Sequence, residues 1–266
     1  MMGSKAFENP LMSHARMRAM FRALVETNLL GQRAGRRAAL QKKLEACWVA
    51  TAIDLRPEDL ANDVAAAWVV SHIRAVGRRE GGKAATAAEI KRALGEMQQA
   101  DAAGLKHLSS MERMLCAVGS AMALRAAGNR AVAMAYVGRS HLSASEWKRL
   151  LAIADEGNLP LVIMATPELG SKSDVDVSGI GMRGKFRNVP VIPVDAGDTL
   201  ALYRVTQESI GRARADSMAA VIEGIDCGSD PVRMLAAQLV KKQICTERWV
   251  SDIEPAFRAA VAKLQV

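Results

Sequence analysis

The strongest constraint on this chain is a regular alternation, beyond residue 130, of short apolar runs with helix-patterned stretches. Residues 131–137 (AVAMAYV), bounded by Asn129 and Gly138, form an apolar run of strand length. A helix is predicted over 145–156, a strand over 159–165, a strand over 189–194 after a loop, a helix over 199–215 and a strand over 218–223. Such alternation is joined by right-handed crossovers, which build a mainly parallel sheet flanked by helices. Residues 231–266 read as two further helices, with Thr246 an N-cap and Glu247 in the first turn of the last. Half of the 266 residues are hydrophobic but only 4% aromatic, so the core is aliphatic and the α/β reading is helix-rich. A chain of this length and apolar content buries a full core, which excludes both disorder and a disulfide-stapled miniprotein.

The first hundred residues lack that alternation. Residues 10–53 show helical spacing, as in Met17, Met20, Phe21, Leu24 and Val25, with a break expected at Gly31. Leu55, Arg56 and Pro57 read as a stop and a new start, with Pro57 at the first helical position and a helix over 64–76. A loop over 77–83 is expected to expose Arg78 and Arg79, followed by helices over 87–100 and 110–127. The organisation is therefore a helical portion over 1–104 and an α/β portion over 105–266, running on as one domain.

Six of the eight net positive charges fall in residues 1–100, which hold 16 Lys and Arg against 10 Asp and Glu. The densest piece is Arg33, Arg36, Arg37, Lys42 and Lys43. It suits a solvated helix face better than a nucleic-acid surface, because no aromatic side chains are interleaved to stack bases. Cys47, Cys116, Cys227 and Cys245 have neither CxxC nor Cys/His spacing, so no zinc site or disulfide framework is indicated. They read as buried thiols in a reducing cytoplasm. No stretch has the apolar length of a membrane span.

In open parallel sheets ligands sit beyond the carboxyl ends of the strands. There the segments AVAMAYVGRS, EWKRLLAIADEGNLPLVIMATPELG, VPVIPVDAGDTLALYRVTQESIGRAR and the stretch from GSDPVRML to EPAFRAAVAKL follow one another in order. Together they resemble the alpha subunit of the thiamine-diphosphate-dependent 2-oxo acid dehydrogenases, the decarboxylating component of the pyruvate and branched-chain complexes. The resemblance covers 105–266 and, more weakly, 31–59. It implies a thiamine-diphosphate-binding-like fold, and an oligomer made either by homodimerisation or by pairing with a beta-like subunit.

The family holds magnesium and the cofactor diphosphate with a Gly-Asp-Gly triplet and, about 26 residues on, an Asn-Asn pair. Here the triplet aligns with Gly138, Arg139 and Ser140 and the pair with Pro167 and Glu168, with Gly170 just beyond. These six are the cofactor positions the resemblance implies, in degenerate form. Arg139 stands where the metal-binding aspartate is expected, and Glu168 where the coordinating asparagine is. A positive charge about 4 Å from a divalent ion, at an effective dielectric of about 20, is repelled by about 8 kcal/mol, or about six decades of affinity. The family's covering loop with its catalytic histidine is replaced by the short VIEGIDCGSDP, and its Tyr-Arg and His-Gly residues are missing from 64–78. His14, His72, His107 and His141 match no such position. No catalytic residue and no metal ligand is therefore assigned.

The expectation is a noncatalytic relative acting as a binding or scaffolding subunit, with no cofactor. The alternative is an active thiamine-diphosphate and magnesium enzyme working with a beta subunit. A metal-free cleft in which Arg139, Arg183 or Lys185 grips an anion is a third reading. A pair between Arg139 and Glu168 is expected to fill the metal position.

Overall fold

The computed structural model describes residues 12–33, 38–62, 67–79, 83–102, 108–167, 176–184 and 186–264. Helices α1 (His14–Arg33) and α2 (Ala38–Ala52) lead into a short strand β1 (Leu60–Asn62) and helices α3 (Ala67–Arg78), α4 (Ala87–Ala102) and α5 (Ser110–Ala126). There follow β2 (Ala133–Gly138), α6 (Ala144–Gly157), β3 (Leu161–Thr166), α7 (Val177–Gly184), β4 (Val191–Asp195), α8 (Thr199–Asp216) and β5 (Ala220–Ile225). Two helices, α9 (Pro231–Lys241) and α10 (Glu247–Ala262), complete the described order. The strands form one parallel sheet in the order β1-β2-β3-β5-β4, with Ala133 opposite Leu161 and Val191 opposite Val221.

Each of β2 and β3 is buried along its length because both faces of the sheet are covered, as parallel sheets require. Met134, Tyr136, Val162, Met164 and Ile222 pack with α1, α2, α8, α9 and α10 on one face. Their neighbours Ala135, Val137, Ile163, Ala165 and Val221 pack with α5, α6 and α7 on the other. The first of these cores runs from Met12 to Phe257, so the N-terminal helices close one face of the sheet.

Several expectations are corrected. Helix α1 runs through Gly31 to Arg33. Pro57 lies in a turn that leads into β1, a strand the helical reading of this region missed. Three residues are too few for strand periodicity to register, and β1 exists because Leu60 to Asn62 pair with Ala133 to Ala135. The loop expected at 77 begins only after Arg78, and Arg79 is no solvent group, with its side chain 8% exposed between Glu26 and Glu89. Gly77 is forced by close packing, because a Cβ there would sit 2.5 Å from the Ile53 carbonyl oxygen. All four thiols are free, but Cys116 and Cys227 are exposed and only Cys47 is buried. Among the described residues no helix is long and apolar enough to cross a membrane.

Candidate functional site at the carboxyl edge of the sheet

Strand β3 leads to α7 on one face while its neighbour β5 leads to α9 on the other. This divergence makes the ends of β3 and β5 the topological switch point, the place where an open parallel sheet receives a ligand. Glu223 of β5 sits at that point, opposite Ala165, with 1% of its surface exposed. A buried carboxylate must find partners, and among the described residues Glu223 has three hydrogen bonds and one ion pair. Arg139 Nε lies 2.8 Å from Oε1. The Val177 amide donates to Oε1 at 3.2 Å and the Ser178 amide to Oε2 at 2.9 Å, joined by the Ser178 hydroxyl.

The local sequence explains each position. Arg139 opens a short 3-10 turn directly after β2, and its carbonyl is held by the Trp147 indole N–H at 3.0 Å. Trp147 is fully buried in α6, so the turn is anchored to the core. Val177 and Ser178 are the first residues of α7, whose free amides and positive dipole end favour an anion. Asp176 accepts from the Gly179 amide at 2.8 Å, and Glu223 takes the two before it. Gly224 allows β3 and β5 to approach at this edge, since a Cβ there would lie 2.9 Å from Pro167 Cδ.

Of the residues selected from sequence, Gly138, Arg139, Ser140 and Pro167 come together at this edge, with Gly138 and Pro167 buried and Ser140 exposed. Glu168 and Gly170 lie outside the described residues, as do His107 and Lys185 and the side chain of Arg183. Among the described residues Arg139 is ion-paired with Glu223, and the pair expected with Glu168 lies outside them. The signal of Glu223 was an acid inside an apolar run, AVIEGI, which a buried strand tolerates only when paired. Placing the strand's end at residue 223 concealed this, because an acid at a terminus is unremarkable.

At the adjoining corner, α2 brings Lys42 Nζ to 2.8 Å from Asp230 and Lys43 onto Asp226. The hydrogen bond from Lys43 holds the Asp226 carboxyl below its ordinary range. Burial pushes Asp230 up, but Lys42 and the α9 amides of Val232 and Arg233 outweigh it and leave that carboxyl lowered too. Two of the five clustered cations are therefore spent on the chain's own acids. Arg36 and Arg37 lie outside the described residues.

His72, which no sequence motif marked, is 2% exposed with Nε2 3.2 Å from Glu26, while His141 is exposed at the end of the 3-10 turn. Glu26 also receives Arg79 at 3.2 Å and faces Arg22 at 3.7 Å. This group lies among α1, α3 and α4, away from the sheet edge. No protein-family model matches the chain, and no curated protein matches it.

Proposed function

We propose that this protein is a noncatalytic relative of the 2-oxo acid dehydrogenase alpha subunit, serving as a binding or scaffolding subunit. The observation that carries the reading is the commitment of Arg139 to Glu223. At the position where the resemblance expects an aspartate for magnesium, a guanidinium sits with 17% of its side chain exposed, ion-paired to a buried carboxylate. A group so held does not swing aside for a divalent ion without breaking its ion pair with the buried Glu223, a loss of about 3–5 kcal/mol for a buried pair. The residues present therefore do not fit a magnesium diphosphate, and no reaction step is assigned to them.

Calorimetry of the full chain with thiamine diphosphate and magnesium tests this, and no saturable heat is expected. Micromolar binding, or turnover of pyruvate or a branched-chain 2-oxo acid after addition of a beta subunit, would establish the enzymatic alternative instead.

The proposed partner is a second copy of this chain. The C-terminal apolar positions Ile253, Phe257, Val261 and Leu264, which repeat at helical spacing, pack on the chain's own core and offer no interface. What supports self-association is α5, which turns Leu115 and Met122, two helical turns apart, outward at 36% and 48% exposure.

A further inference from the structure

We infer that the outward face of α5 is a two-fold interface, on which a second copy of this chain lays its own α5 antiparallel, with the axis midway between Leu115 and Met122. The inference rests on the reading that the partner is a second copy, and it specifies how the two copies meet. Among the described residues, the large hydrophobic side chains left exposed are Leu115 and Met122 on α5, Leu60 on β1 and Met182 on α7. Three of the four therefore belong to one corner of the molecule. Asn62 ties β1 to the flank of α5, donating from Nδ2 to Ser120 Oγ at 3.0 Å. Leu60, in register with Ala133, turns its side chain to the sheet face that α5 covers, so this 40% exposed residue of the edge strand extends the same patch.

The pattern along α5 defines the face. Leu115, Cys116, Gly119, Met122, Ala123 and Ala126 are all exposed and recur at spacings of three and four, which puts them on the side of the helix away from the sheet. Between Leu115 and Ala123 the helix carries no charged residue, whereas the solvent side of an amphipathic helix is ordinarily charged. At Gly119 a Cβ would meet nothing, so the chain's own packing does not call for a glycine there. A glycine inside a helix weakens it, and a second backbone crossing at that point gains from the missing side chain.

Charge and symmetry fix the orientation. Glu112 stands at the start of the stripe, while Arg125 and Arg130, both exposed, stand at its end and just beyond. A two-fold interface repeats every contact, so that residue i meets j and j meets i. Antiparallel packing brings Leu115 of each copy onto Met122 of the other and sets the acidic end of each helix beside the basic end of its mate, twice. Parallel packing would put Glu112 against Glu112 and Arg125 against Arg125, and would align the two helix dipoles. The face is about 25 Å long and about 10 Å wide, a small contact even with Leu60 beside it, so a weak, micromolar dimer is expected.

The test is site-directed crosslinking of the full chain, with the exposed Cys116 and Cys227 replaced by Ser and one cysteine added at a time. Leu115→Cys and Met122→Cys are oxidised each alone and then mixed. In the antiparallel pair the two 115 positions lie about 10 Å apart along the helices, beyond the disulfide reach of about 7 Å between Cα atoms, whereas 115 of one copy lies across from 122 of the other. The mixture should therefore form interchain disulfides about tenfold faster than either variant alone. Gly119→Leu, for which the chain's own fold has room, should raise the dissociation constant of the dimer by about tenfold or more in sedimentation while leaving the melting temperature of the monomer unlowered. A wild-type dimer in which Leu115→Cys crosslinks to itself as fast as the mixture, or in which Gly119→Leu associates like wild type, overturns this geometry and leaves self-association standing. A wild-type monomer at every concentration overturns both the geometry and the reading that the partner is a second copy.

Discussion

Single side chains here matter most where a charge is buried among opposite charges. Glu26 is fully buried and answers to His72, Arg79 and Arg22 at once. Glu26→Ala removes the buried carboxylate that Arg22 and Arg79 share, leaving Arg79 with Glu89, and should destabilise the fold by about 3–5 kcal/mol, read from urea unfolding. Lys43 and Asp226 form a contrasting surface pair. Because the folded Asp226 pKa is lowered, its contribution to stability is present above the unfolded value of about 3.9 and is lost as pH falls through the folded value. Melting temperatures followed from pH 5 to pH 2 should therefore drop less steeply for Lys43→Met than for wild type. At neutral pH the two should differ by less than about 1 kcal/mol, since the pair is partly exposed.

Helix ends and one helix interior show how elements are held. Both α5 and α6 begin with a capping box, Ser109 with Glu112 and Ser143 with Glu146, each serine accepting from the amide three residues on. Ser109→Ala and Ser143→Ala should each cost about 1 kcal/mol in denaturant unfolding, and the combined loss should be additive because the caps belong to separate helices. The last helix carries Pro255 in its interior, on the exposed side, where it removes a backbone donor. α10 persists because Ile253 and Phe257 are buried against the N-terminal helices. Pro255→Ala should raise stability by about 1–3 kcal/mol, measured as an increase in melting temperature.

At the scale of the whole molecule, the proposed self-association leads to a mass measurement. Sedimentation over the micromolar range should report a dimer, and Leu115→Lys with Met122→Lys should return it to a monomer while leaving the melting curve nearly unchanged, as surface substitutions do. A wild-type monomer at every concentration would remove α5 as an interface. Cys116, exposed on α5, offers a second readout, since its alkylation should be slower in the wild type than in the double variant.

The sequence by itself determined the alternation of β2 to β5 with α6 and α8, because strands covered on both faces must be mostly apolar and their flanking helices must be amphipathic. Those elements begin and end within about two residues of their predicted limits. Other features were decided only by tertiary contact. β1 has too little length to carry a pattern, and α7, eight residues rich in glycine, is a helix whose first turn is held by a carboxylate from another strand. At the site, the family resemblance pointed to Arg139, but not to the residue that receives it. Glu223 lies 84 positions further on, and it meets Arg139 only because β5 is inserted beside β3 in the sheet. A charge states locally that it needs a partner. Which partner it finds depends on strand order, a property of the assembled sheet that no local window of residues contains.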